Sequence, residues 1–135
     1  MLGRLLSPCQ ERVYAAMRMV VGLLLTFHGL QKVFGVLSEH QPPVGSQMWI
    51  GGVIELVAGT LIAVGLLTVW AAFIASGMLA VGYVQFHWKF AFDSAFFPVV
   101  NHGELAVVYA FLFLYIASKG SGIASLDGMR SKSSA

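Results

Sequence analysis

Charge is scarce in this chain: Asp, Glu, Lys and Arg make up 10% of 135 residues, against a mean hydropathy of +0.80. An ordinary soluble domain carries about a quarter charged residues, so that class is excluded. Cys9 is the single cysteine, which leaves no internal disulfide, no Cys-x-x-Cys redox pair and no thiolate cluster for a metal. The net charge is +2, and no lysine or arginine cluster is interleaved with aromatics, which excludes a nucleic-acid surface. Flavin and nicotinamide fingerprints are missing too, so the chain holds no electron carrier of its own and redox chemistry would require a redox partner subunit.

Long apolar runs fill the place of the missing charge. About 30 Å of hydrocarbon takes roughly 20 helical residues at about 1.5 Å each. By that ruler residues 13–36 form a first span, broken by Ser38-Glu39-His40-Gln41-Pro42-Pro43. From Met48 to Trp88 the single acid is Glu55, over a length that serves two crossings, at 48–67 and 69–89. The turn between them is predicted within Gly65–Trp70, with Trp70 as an interfacial aromatic. A fourth span at 99–118 ends at Lys119-Gly120-Ser121-Gly122, read as a helix cap. Arg4 and the run after it are read as an uncleaved anchor, because Arg18 interrupts the run and no small-residue cleavage site follows. The expected architecture is an all-α integral membrane four-helix bundle, one domain over residues 1–127, with a polar, disordered tail at 128–135. Arg4, Arg12, Lys119, Arg130 and Lys132 gather on the side of the termini, so both termini are expected to be cytoplasmic, in a bacterial-type inner (plasma) membrane.

Against this background the few charges inside the spans stand out, since each costs roughly 2.5–3.5 kcal/mol at the middle of a membrane helix. Arg18, His28 and Lys32 share one arc of the first span, and Gly52, Glu55, Gly59 and Ala63 share one of the second. Gln85 and Lys89 stack on the third span, where His87 points elsewhere; Asn101, His102 and Glu104 open the fourth. In the orientation above, all but Arg18 fall in the outer half. His28, Lys32, Glu55, Glu104, Asn101 and Gln85 are therefore the candidates for ligand binding or proton handling, with Phe27, Phe34, Trp49 and Phe111 as walls. Two uses of this layer are open: ion pairs that only pin the bundle, or a cavity for a small amphipathic molecule entering from lipid. Arg18, near the cytoplasmic end, is expected to snorkel to the headgroups. Haem held by His28 with His87 or His102 has no motif behind it, and no metal site is expected.

The string His28-Gly29-Leu30-Gln31-Lys32-Val33-Phe34-Gly35, followed by Gly51-Gly52-Val53-Ile54-Glu55-Leu56, Gly59 and Gly65-Leu66-Leu67-Thr68, resembles successive signatures of the DoxX family. Asn101-His102-Gly103-Glu104-Leu105 with Tyr109, and Gly120-x-Gly122-x-x-Ser125-Leu126-Asp127, continue the resemblance, which covers about residues 15–127. Val69 and His102 depart from it, where a basic and a small residue are expected. The resemblance implies a small four-span bacterial or archaeal membrane protein tied to quinone-linked oxidoreductase systems. The leading expectation is an accessory or quinone- or small-molecule-handling subunit of a membrane redox system, with quinone as its ligand and catalysis by the chain itself left open. A membrane organiser that docks soluble redox or stress-response partners through its tail is the second, and a small carrier or permease the third. A homo-oligomer is compatible with all three.

Overall fold

The computed structural model describes residues 2–133, and among them the chain is helix and loop with no strand. A short helix α1 (Leu2–Leu6) and a 3-10 turn (Ser7–Cys9) lead into α2 (Gln10–Phe34). Then follow α3 (Gln47–Val64), α4 (Thr68–Gly82) running on into a π turn (Tyr83–Trp88), a 3-10 turn (Ser94–Phe96), α5 (Pro98–Asn101), α6 (Glu104–Lys119) and α7 (Leu126–Ser133). Three helical stretches are long and apolar enough to cross a membrane: Ser7–Phe34, Gln47–Val64 and Thr68–Trp88. The expected fourth span at 99–118 is different. His102 adopts a left-handed conformation (φ 58°) that ends α5, so the continuous helix starts only at Glu104 and its 16 residues cover about 24 Å. The expected disorder of the tail is also corrected, because α7 is helical as far as Ser133; Ser134 and Ala135 lie outside the described residues.

The helices pack as two tight pairs, α2 with α3 and α4 with α6, joined through α3 against α4. Glycine makes the first pair possible. A Cβ on Gly22 would stand 2.5 Å from the Ala63 nitrogen, one on Gly59 2.6 Å from the Thr26 nitrogen, and one on Gly29 2.4 Å from the Leu56 nitrogen. Backbone therefore meets backbone along this seam, the arrangement that gives membrane helices dispersion contact without a hydrophobic drive between them. The buried core occupies the half of the bundle nearer the termini: Tyr14, Leu25, Ile62, Ala72, Phe113 and Ile116, with further alanines between. Outward faces carry Leu23, Phe27, Val57, Phe73, Ile74 and Phe111, an apolar exterior that only lipid can solvate.

Arg18 does not snorkel. It is fully buried, and its guanidinium donates to the carbonyls of Ile62 (2.6 Å), Ala63 (2.9 Å) and Ala124 (2.7 Å). Two of these are last-turn carbonyls of α3, where a cation also meets the negative end of the helix dipole. The segment after α6 closes the same end. Gly65, in a left-handed turn (φ 71°), lies so near Ser125 that a Cβ there would stand 2.4 Å from the serine side chain. Asp127 takes the N–H groups of Leu67 and Thr68, both at 3.0 Å, and the Thr68 hydroxyl at 3.1 Å, capping α4 from a distant part of the chain. Burial pushes the Asp127 carboxyl up, but these Thr68 and Leu67 hydrogen bonds, with the charge of Arg130, outweigh it and hold the pKa below the ordinary aspartate value. A depressed carboxylate stabilises the fold above its unfolded pKa, near 3.9, and that contribution is lost as pH falls through the lower folded value. Asp127→Ala is accordingly expected to cost about 1 kcal/mol at neutral pH, as losing an N-cap does, and to be neutral at the acid end of a pH series of unfolding midpoints.

Candidate functional site

Away from the termini the bundle is open. A cavity of about 460 Å³ separates the first turns of α3 from the end of α4 and the π turn, with Lys32 of α2 and Ala106 of α6 at its edges. Its less exposed lining is apolar (Ile54, Met78, Leu79), while Met48, Ile50, Val81 and Phe86 on its rim are about half exposed on the lipid-facing exterior. The reason lies in the helices: α4 gives way to i→i+5 bonding at Tyr83, seen in the Lys89 N–H to Val84 carbonyl bond of 2.8 Å. That wider turn changes the side-chain register and carries no buried residue to fill the gap.

At the inner end of the cavity Lys32 Nζ meets Glu55 Oε1 at 2.6 Å. Glu55 is 4% exposed, and its second oxygen, Oε2, is buried without a partner. Gly52 places the pair, since a Cβ there would stand 2.5 Å from Lys32 Cβ; the lysine stem lies directly on the glycine. An ion pair in low dielectric persists only when both partners are hydrogen-bonded, and an unpaired carboxylate oxygen is costly there. Eight residues along α3, about 12 Å nearer the loop end, the Gln47 side-chain amide donates to Gln85 Oε1 across the cavity mouth.

Of the candidates read from sequence, the structure gathers Lys32, Glu55 and Gln85 on this cavity. Asn101 stands behind it, donating from Nδ2 to the Tyr83 hydroxyl oxygen at 3.3 Å. His28 and Glu104 do not join: both are exposed. His28 sits at the edge of the α2 arc, beyond the strip that packs on α3. Glu104 lies in the first turn of α6, where the positive end of the helix dipole favours a carboxylate. The expected aromatic walls are corrected as well, because Phe27, Phe34 and Phe111 are 55–70% exposed and Trp49 does not line the cavity. On α6 the face of Val108, Phe111 and Tyr115 looks outward, and Ala110, Phe113 and Ile116 look inward. Both faces are apolar, so periodicity alone could not choose between them.

Sequence reading missed Gln47 and Tyr83 and set His87 aside, yet all three line the cavity. Tyr83 and His87, four apart, stack at 6.2 Å between ring centroids. That spacing was a legible signal. No three His, Cys, Asp or Glu side chains among the described residues converge as a metal site would require.

Comparison with known proteins agrees with the resemblance. The family model DoxX matches residues 13–88, which carry α2, α3, α4 and the whole Lys32–Glu55 pair. A Haemophilus influenzae protein, described as uncharacterized, is 38% identical over 117 residues, covering 84% of this chain and 87% of its own length. No solved structure matches. The chain, an all-helical protein with membrane-spanning helices, belongs to the DoxX family.

Proposed function

We propose that this protein is a four-span inner-membrane subunit, with both termini cytoplasmic, that takes a quinone-type ring from the bilayer into the cavity between α3 and α4 and serves a membrane redox system. The observation that carries the reading is the unpartnered, buried Oε2 of Glu55 at the inner end of an apolar cavity whose rim faces lipid. An ion pair serving only to join α2 and α3 has no use for a cavity beside it or for a bare carboxylate oxygen. Lys32 supplies a donor for a ring oxygen and Glu55 an acceptor for a hydroxyl or its proton. In this reading electrons come and go through a partner subunit, as the sequence carries no recognisable flavin, nicotinamide or thiolate-cluster motif. The orientation rests on Arg12, Lys119, Arg130 and Lys132 standing at the termini end. In it α6 completes the fourth crossing, its short hydrophobic length matched by local thinning of the bilayer.

The organiser reading is supported less well. Residues 120–127 are occupied in closing the bundle through Ala124 and Asp127, so docking by the tail would fall to the residues from Gly128 onward.

Titration of decylubiquinone into the protein in nanodiscs, followed by calorimetry, tests the proposal. Wild type is expected to bind. Glu55→Gln and Lys32→Met should each weaken binding about tenfold, the worth of one hydrogen bond to a charged group. Glu104→Gln should leave it unchanged. No binding, or equal affinity in all four proteins, would sink the site.

A further inference from the structure

We propose that Tyr83 and His87, fixed from behind by Asn101, form a second hydrogen-bonding station at the outer end of the cavity, one that presents a donor and an acceptor to the oxygen of a ring ligand. The inference rests on the cavity reading above and adds to it a station that discriminates the ligand's oxidation state.

The argument begins with the orientation of Asn101. The backbone N–H of Gly103 donates to its Oδ1 at 2.9 Å, and a backbone N–H can only donate, so this atom is the oxygen. The amide nitrogen on the other side donates to the Ala95 carbonyl at 2.9 Å and to the Tyr83 hydroxyl oxygen at 3.3 Å. The Tyr83 oxygen is thus an acceptor toward Asn101, and its own hydrogen remains to donate elsewhere. The backbone carbonyl of Asn101 lies 3.1 Å from His87 Nδ1. A carbonyl only accepts, so Nδ1 carries the proton, and in the neutral ring Nε2 is left with a bare lone pair. One residue therefore sets both partners: a free O–H on Tyr83 and a free acceptor on His87, from two stacked rings that line the cavity.

The surroundings hold the station in place. Gly103 is buried against the tyrosine, and a Cβ there would stand 2.5 Å from the Tyr83 ring. The left-handed His102 and the short α5 turn Asn101 back toward α4. The π turn brings Tyr83, Gln85 and His87 together onto one cavity.

The two groups make different demands. The Tyr83 hydroxyl can donate to a carbonyl or to a hydroxyl oxygen, whereas a neutral His87 Nε2 accepts only from a hydroxyl. A quinone engages Tyr83 alone; its quinol engages both. Decylubiquinone and its quinol, titrated against protein in nanodiscs under anaerobic conditions, separate these contributions. His87→Leu is expected to weaken the quinol about fivefold or more and the quinone less than about twofold, and Tyr83→Phe to weaken the quinone by at least about fivefold. Simple loosening of the loop would lower both affinities together in His87→Leu, so a loss confined to the quinol in that variant is the signature of the station. Tyr83→Phe keeps the ring that Gly103 accommodates, so its result does not depend on how well His87→Leu folds. Equal shifts of both probes in His87→Leu, or no shift of either in Tyr83→Phe, would overturn the station and leave the cavity standing if Glu55→Gln still weakens binding. If neither probe binds wild type, station and cavity fall together.

Discussion

Arg18→Leu is expected to lower the stability of the folded protein by about 2–4 kcal/mol, read as a shift in the unfolding midpoint in detergent. The removed guanidinium leaves the carbonyl of Ala63 buried with no donor, that of Ile62 with only the Gly65 N–H at 3.2 Å, and that of Ala124, which is part-buried, without its arginine partner. Each orphaned group costs about 1–3 kcal/mol. Against this, leucine avoids the penalty of burying a charge, which can make apolar replacement of a buried ion neutral. Orphaned carbonyls win here because a leucine cannot satisfy them and those of Ile62 and Ala63 belong to residues buried away from water. Arg18→Lys should fall between, since one ammonium replaces a fork that reaches α3 and the C-terminal segment together. A leucine variant as stable as wild type would show that the network has no net worth.

Gly22→Leu is expected to have an effect of similar size by a different route. Its side chain would be driven into the backbone of Ala63 and Gly59, and backbone cannot turn away as a side-chain tip can. Overpacking a seam costs about 1–3 kcal/mol and occasionally more, and this seam is the tightest in the bundle. The same change separates α2 from α3 and so lengthens the Lys32–Glu55 contact, so quinone affinity should fall with stability. Gly77→Ala is the control: nothing lies within 4 Å of its Cβ position, and the substitution should be neutral or gain up to about 1 kcal/mol of helix propensity. Equal melting of the two variants would contradict the close-packed seam.

The rarity of charge and the length of the apolar runs were enough to place the chain in a bilayer, to find α2, α3 and α4 within a few residues, and to mark Lys32 and Glu55, beside His28 and Glu104, as charges in need of partners. Those features are one-dimensional: a run length, a proline pair, a helical arc with glycine along it. The resemblance added the family. What the sequence could not settle depends on which of two similar faces turns inward. On α6 both faces are apolar, so Glu104 and Phe111 read as lining residues, although the packing of Phe113 and Ile116 against the core turns them outward. Arg18 reads as a headgroup anchor by depth alone, and only the return of Ala124 across the end of the bundle gives it acceptors worth burying for. His87 reads as misplaced because 100° per residue assumes an α-helix, and the π turn breaks that rule where the cavity forms. The sequence by itself determined the solvent this protein lives in and marked Lys32 and Glu55 among the charges that need partners there, because hydrophobicity and periodicity are local. Tertiary structure alone decided that the pair borders a cavity, because a void exists only where several helices fail to meet.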